Sequence, residues 1–147
     1  MFDLFENKIL LCALGSWLVA QVLKTIIYAV INRGLDWKRL FGDGGMPSGH
    51  SATVCSLAAA SALTYGLGSF EFAITFVFAV IVMHDAMGVR HETGKQAQLL
   101  TEISGILEGL TNRDLAEENL KLLVGHTPFQ VIIGGGLGIL IALIFCS

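Results

Sequence analysis

The chain has 147 residues, of which 54% are hydrophobic and only 14% are charged, and its mean hydropathy is +0.70. A water-soluble domain of this length carries about 25% charged residues, so the composition indicates a protein whose solvent is the lipid bilayer. The formal net charge is −3 and no run of basic residues occurs, which argues against nucleic-acid binding. We expect a single membrane-embedded domain over residues 1–147.

The first two apolar blocks predict two membrane helices. Residues 9–31 form an uninterrupted block of about 23 residues with one charge, Lys24, and about 20 residues suffice to cross a bilayer. Its length and the lack of a cleavage site distinguish it from a signal peptide. After a polar, Gly-rich loop, residues 51–67 are rich in Ala and Ser, small residues that allow close helix contact in lipid.

The second half of the chain predicts two more membrane helices and one helix on the membrane surface. Residues 70–87 and 129–145 are apolar spans, and the second contains Gly134, Gly135, Gly136 and Gly138, which would allow a neighbouring backbone to come near. Between the two spans, apolar residues recur at helical spacing: Leu99, Leu100, Ile103, Ile106, Leu107 and Leu110. The predicted fold is therefore an all-α integral membrane bundle of about four transmembrane helices plus an interfacial amphipathic helix.

Basic residues predict the orientation of this bundle. The loops after the first and third helices lie on one membrane face and hold seven of the nine Lys and Arg residues: Arg33, Lys38, Arg39, Arg90, Lys95, Arg113 and Lys121. The positive-inside rule therefore predicts that both loops are cytoplasmic and both termini are outside. Cys12, Cys55 and Cys146 lie among apolar neighbours, which favours small buried side chains over a disulfide or a metal site.

Residues 44–52, Gly-Gly-Met-Pro-Ser-Gly-His-Ser-Ala, join the Gly-rich loop to the second helix. A helix start presents unpaired backbone N–H groups, and Gly49 has no side chain to hold an anion away from them. Ser48 adds a hydroxyl donor, and His50 can exchange a proton near neutral pH. The stretch predicts an anion site; a Pro-Ser helix cap with an incidental histidine is the alternative.

Two further stretches end on the same membrane face. His84, Asp85 and Arg90 lie at the end of the third helix, where they indicate either a phosphate clamp or a simple pairing of Asp85 with Arg90. His126 comes just before the fourth helix, whose first turn contains Pro128, and a histidine in such a position is, taken alone, more often a surface or capping residue than a catalytic one.

The order of these motifs resembles the divergent type-2 phosphatidic acid phosphatase family, a small membrane-embedded branch of the acid phosphatase and vanadium haloperoxidase superfamily. The resemblance covers almost the whole chain, in the segments 44–48, 50–52, Asp85 with 88–90, Gly94 with 96–97, and 125–128. It implies a metal-independent lipid phosphatase that needs no cofactor. By this resemblance His126 is the nucleophile that forms a phosphohistidine, His50 is the acid and base, and Arg90, Ser48 and Gly49 bind the phosphate.

The chain also departs from the superfamily pattern. Arg90 and His126 are far apart in sequence, Gln130 stands where classical members have the acid that orients the nucleophile, and the first basic motif is not intact. Asp85 is a candidate for the missing acid, and Lys24 and Arg39 are candidates for the missing basic residues.

The implied substrate is a phosphomonoester or diphosphate of a polyprenyl or phosphatidate-type lipid. The Gly-rich and Ala-rich helices are also compatible with a homo-oligomer. Two alternatives remain at this level. One is a non-catalytic lipid-binding or scaffold protein that retains the fold. The other is a metal-dependent hydrolase using His50, His84, Asp85 and His126, although their spacing is not that of a zinc site.

Overall fold

The structure, a computed structural model, describes residues 5–34, 45–111 and 128–146, without the side chains of residues 89–98, 101 and 104–111. These ranges contain the helices α1 (Lys8–Asn32), α2 (Gly49–Tyr65), α3 (Phe70–Thr111) and α4 (Pro128–Cys146) and no strand. The predicted all-helical fold class is confirmed.

Local capping explains where the helices begin and end. The side chain of Asn7 accepts a hydrogen bond of 3.0 Å from the N–H of Leu10 at the start of α1. The hydroxyl of Ser69 accepts one of 3.1 Å from the N–H of Phe72 at the start of α3. Gly66 follows α2 at φ +87°, a conformation that favours glycine, and its N–H bonds back to Ala62.

The third helix differs from its prediction. The predicted end near residue 87 and the separate surface helix beyond it are replaced by one continuous helix of 42 residues. Such a helix is about 63 Å long, twice the thickness of a bilayer core. The apolar part still ends at Gly88, but Gly88 and Gly94 are isolated glycines that each weaken a helix by only about 1 kcal/mol, and no proline follows them in α3.

Three helices, α1, the 70–88 part of α3, and α4, are long and apolar enough to cross a membrane. Large apolar side chains are exposed along all three, among them Val30, Val77 and Ile132, as expected where the surroundings are lipid. The fourth predicted span, α2, has 17 residues and is not one of these three helices. The protein is an integral membrane protein.

α2 lies at the centre of the bundle and contacts each of the other three helices. Cys12 near the start of α1 packs with Ala60 near the end of α2, so these helices are antiparallel. Ala58 packs with Ala79 in the same antiparallel sense between α2 and α3. One side of the bundle therefore contains the C-terminal end of α1, the N-termini of α2 and α4, and the middle of α3.

Small residues allow α2 and α4 to pack backbone against backbone. A Cβ added to Gly134 would collide with the carbonyl oxygen of Ser48, and one added to Gly138 would collide with that of Ala52. The two glycines are four residues apart, as in the small-residue motif of membrane helix pairs. The predicted role is confirmed for these two glycines, whereas a Cβ on Gly136 would meet nothing within 4 Å.

The three cysteines are free, as predicted: Cys12 and Cys55 are buried and Cys146 is partly buried.

Candidate functional site

Ser48 caps the N-terminus of α2 and is completely buried. Its hydroxyl oxygen accepts hydrogen bonds from the N–H of Ser51 at 3.4 Å and from the hydroxyl of Ser51 at 3.0 Å. Its carbonyl oxygen accepts one from the N–H of Ala52 at 3.1 Å. Ser48 thus accepts from the third and fourth N–H groups of the helix. The first two, on Gly49 and His50, have no partner within the helix itself. This arrangement favours an anion there.

The first turn of α4 lies directly against this cap. The N–H of Ser48 donates a hydrogen bond of 3.3 Å to the backbone carbonyl of Gln130. Gly134, one turn further on, packs against Ser48 itself. The N-termini of α2 and α4 are therefore held side by side, so that the partial positive charges of both helix ends face the same side of the bundle.

α1 contributes a face of long side chains to the same place. A Cβ on Gly49 would lie 3.4 Å from Cδ1 of Trp17 and 4.0 Å from the carboxamide carbon of Gln21. The Cβ position of Gly45, whose φ is +87°, is 3.2 Å from Cγ of Lys24. Lys24 is only 5% exposed, and its aliphatic stem packs against Gly45, four residues before α2 begins. A lysine inside a membrane span is unfavourable unless it serves a polar site.

The register of α3 brings its polar end to the same level. The Sγ of Cys55 on α2 is 3.5 Å from the Sδ of Met83 on α3. Two helical turns along each antiparallel helix lead from this contact to Ser48 on α2 and to Arg90 on α3. The backbone of Arg90 is thus level with the cap, whereas its side chain is outside the described residues.

The structure therefore brings together three of the predicted site residues, Lys24, Ser48 and Gly49. His50 lies beside them in the first turn of α2 with an exposed side chain, and Asp85 is exposed on α3. Arg39 and His126 lie outside the described residues, as does the Gly44 end of the motif. Chain order puts His126 two residues before α4 begins.

Sequence analysis missed Trp17 and Gln21, since the first helix was interpreted as a plain apolar span with one charge. A signal was present: Trp17, Gln21 and Lys24 follow one another at four and three residues, the spacing of one helix face. A polar Gln within an apolar span was the second indication.

No set of three or more His, Cys, Asp or Glu residues that could hold a metal ion occurs among the described residues. His50, His84 and Asp85 therefore do not form such a cluster by themselves. The described residues near this helix end are instead the first turn of α2, the buried Lys24 and the buried Gln21. N–H groups, a lysine and a carboxamide are groups that suit an oxyanion.

A model of the family described as "Divergent PAP2 family" matches residues 5–141 of the chain. The chain is also 39% identical to YuiD of Bacillus subtilis (strain 168), described as an uncharacterized membrane protein, over 151 residues. That alignment covers 97% of this chain and 96% of YuiD. No solved structure shows significant similarity.

Proposed function

The chain belongs to the divergent PAP2 family, and from this premise we propose that it is a lipid phosphatase acting at the membrane surface. The observation that carries the proposal is the burial of Lys24 against Gly45, four residues before the N-terminus of α2. A buried cation and two convergent helix N-termini in one place form an environment for a phosphate group.

In the proposed reaction, the phosphate of the lipid docks on the N–H of Gly49 with its negative oxygens near Lys24. Arg90 and Arg39 add positive charge, and Ser48 holds the helix start and can donate its own proton. These groups stabilise the charge that develops on the equatorial oxygens during transfer.

The nucleophile is His126, whose imidazole nitrogen forms a P–N bond as the P–O bond to the lipid breaks. His50 gives its proton to the departing oxygen. Water then attacks phosphorus, His50 takes up one proton of that water, and cleavage of the P–N bond releases inorganic phosphate. Either the carboxylate of Asp85 or the side-chain carbonyl oxygen of Gln130 orients the imidazole of His126. Each step balances without a metal or an oxidant.

The substrate class is an amphiphilic phosphomonoester or diphosphate, of polyprenyl or phosphatidate type. The site lies at the helix ends, where a headgroup can enter while its hydrocarbon tail stays in the bilayer. We place this side of the bundle in the cytoplasm, because seven of the nine Lys and Arg residues lie either between the end of α1 and the start of α2 or between Gly88 and the start of α4.

The experiment is phosphate release by the purified protein in liposomes that contain either lipid class. We expect His126→Ala and His50→Ala each to reduce turnover at least about 100-fold at unchanged expression. His84→Ala is the matched control, because the proposed mechanism does not use His84. Assays on inside-out and right-side-out membrane vesicles test the orientation, since only inside-out vesicles expose the cytoplasmic face.

Absence of phosphate release by wild-type protein from both lipid classes would refute the enzyme proposal. Loss of activity in His84→Ala together with inhibition by a chelator would instead favour the metal-dependent alternative.

One observation favours the non-catalytic alternative, a lipid-binding or scaffold protein. The Ser48 hydroxyl is completely buried and accepts two hydrogen bonds within the helix cap, which is a structural use. An acid-labile phosphate label on histidine, formed from a radiolabelled lipid phosphate, distinguishes the two, because a binding protein forms no such bond.

A further inference from the structure

Gln21 is a buried polar residue whose side-chain carbonyl oxygen has no hydrogen-bond partner among the described residues. The residue is 5% exposed, and its Oε1 is one of two fully buried side-chain N or O atoms that lack a hydrogen-bond partner in the described part of the chain. The other is the hydroxyl oxygen of Ser16, also on α1. A buried acceptor without a donor destabilises the fold, so its presence calls for an explanation.

The direction of the Gln21 side chain supplies that explanation. Its carboxamide carbon lies 4.0 Å from where a Cβ of Gly49 would be. Because Gly49 has no side chain, the carboxamide lies beside the backbone of the first residue of α2. Lys24 lies one turn along the same face of α1, beneath Gly45. An anion at the start of α2 would therefore lie close to the carboxamide of Gln21 and to the turn of α1 that carries Lys24.

We propose that Gln21 is a substrate-contacting residue whose carboxamide hydrogen-bonds the phosphoryl group docked on the N-terminus of α2. This inference rests on the anion site of the proposed function. Oε1 accepts from a protonated phosphoryl oxygen, and rotation of the amide by half a turn lets Nε2–H donate to an unprotonated one. A neutral carboxamide contributes direction without adding charge, so it selects the orientation of the phosphoryl group, whereas Lys24 contributes attraction.

The test compares phosphate binding with stability in the same variants. Gln21→Met keeps the length of the side chain and removes both hydrogen-bonding atoms. We expect the melting temperature of the ligand-free protein in detergent to stay the same or rise, because an unpaired acceptor is removed. The stabilisation by added inorganic phosphate should weaken, with a Kd about tenfold higher. Gln21→Glu, of the same shape but anionic, should weaken phosphate binding further.

Ser16→Ala is the matched control, since it removes the other unpaired acceptor about 7.5 Å along the same helix. It should affect the melting temperature of the ligand-free protein in the same direction and leave phosphate binding unchanged. A merely structural role for Gln21 would make both variants behave alike.

Unchanged phosphate affinity in Gln21→Met would overturn the inference, as would a wild-type protein that phosphate does not stabilise. Failure of the proposed function looks different. There the wild-type protein binds phosphate, and does so through Gln21, yet releases none from lipid phosphates.

Discussion

The contacts that α2 makes with α4 differ in type from those that it makes with α1. On the side of α4, Gly134 and Gly138 bring the backbones of the two helices together, with no side chain between them and Ser48 or Ala52. On the side of α1, long polar or aromatic side chains, Trp17, Gln21 and Lys24, approach the loop and the first turn of α2. The contact with α4 fixes the position of the start of α2, because a contact between two backbones cannot be changed by rotating a side chain. The contact with α1 supplies polar side chains that can bind a ligand.

This comparison predicts that substitutions on the α4 side damage the fold and those on the α1 side damage binding. The largest effect is expected for Gly138→Ala, because its new Cβ would collide with the backbone carbonyl of Ala52. The helices must separate to accommodate it, which we expect to reduce the free energy of unfolding by about 3 kcal/mol. The measurement is unfolding of the purified protein in detergent by increasing concentrations of SDS.

Gly136→Ala is the control for that experiment, since it adds the same methyl group where nothing lies within 4 Å. It should be neutral or stabilise the helix by up to about 1 kcal/mol. Equal losses in the two variants would show that glycine matters in α4 for some reason other than contact with α2.

On the α1 side, Lys24→Met keeps the aliphatic stem that packs against Gly45 and removes the ammonium group. Loss of a charge that stabilises the transferring phosphoryl group should reduce kcat/KM about 100-fold, with a small change in stability. Lys8→Met, an exposed lysine at the other end of the same helix, is the control and should retain full activity. A variant of Lys24 that unfolds more readily but turns over normally would assign this lysine to structure alone.

The helices were predictable because bilayer thickness sets the length of an apolar span and capping residues mark where a helix begins or ends. The first and last helices extend only one residue beyond their predicted limits at each end. α2 begins and ends two residues earlier than the predicted 51–67, because Ser48 caps its start and Gly66 follows its end. The prediction for α3 was wrong beyond residue 87, since a change from apolar to polar composition marks the edge of the membrane and not the end of a helix.

The site was predictable where the sequence carries a motif and not where it depends on helix rotation. Ser48 and Gly49 were predicted from the motif, and Lys24 as a candidate for the missing basic residue; the structure places all three near the start of α2. Gln21 was missed because an amide in an apolar block has no motif, and its meaning depends on which way α1 faces. The same limitation made Gly136 appear equivalent to Gly138, although only Gly138 faces α2.

The smallest expected effect concerns Ser48, where the structural and catalytic roles can be separated. Ser48→Ala should cost about 1 kcal/mol of stability because the cap loses its acceptor, whereas Ser48→Gly, a tolerated capping residue, should cost only a few tenths. If the hydroxyl acts only as a cap, phosphate release follows this difference, and Ser48→Gly stays close to wild type. If the hydroxyl also touches the phosphate, both variants lose activity equally while their stabilities differ. Ser48 would then have both roles: it would pack against α4 as part of the fold and bind the ligand as the α1 residues do.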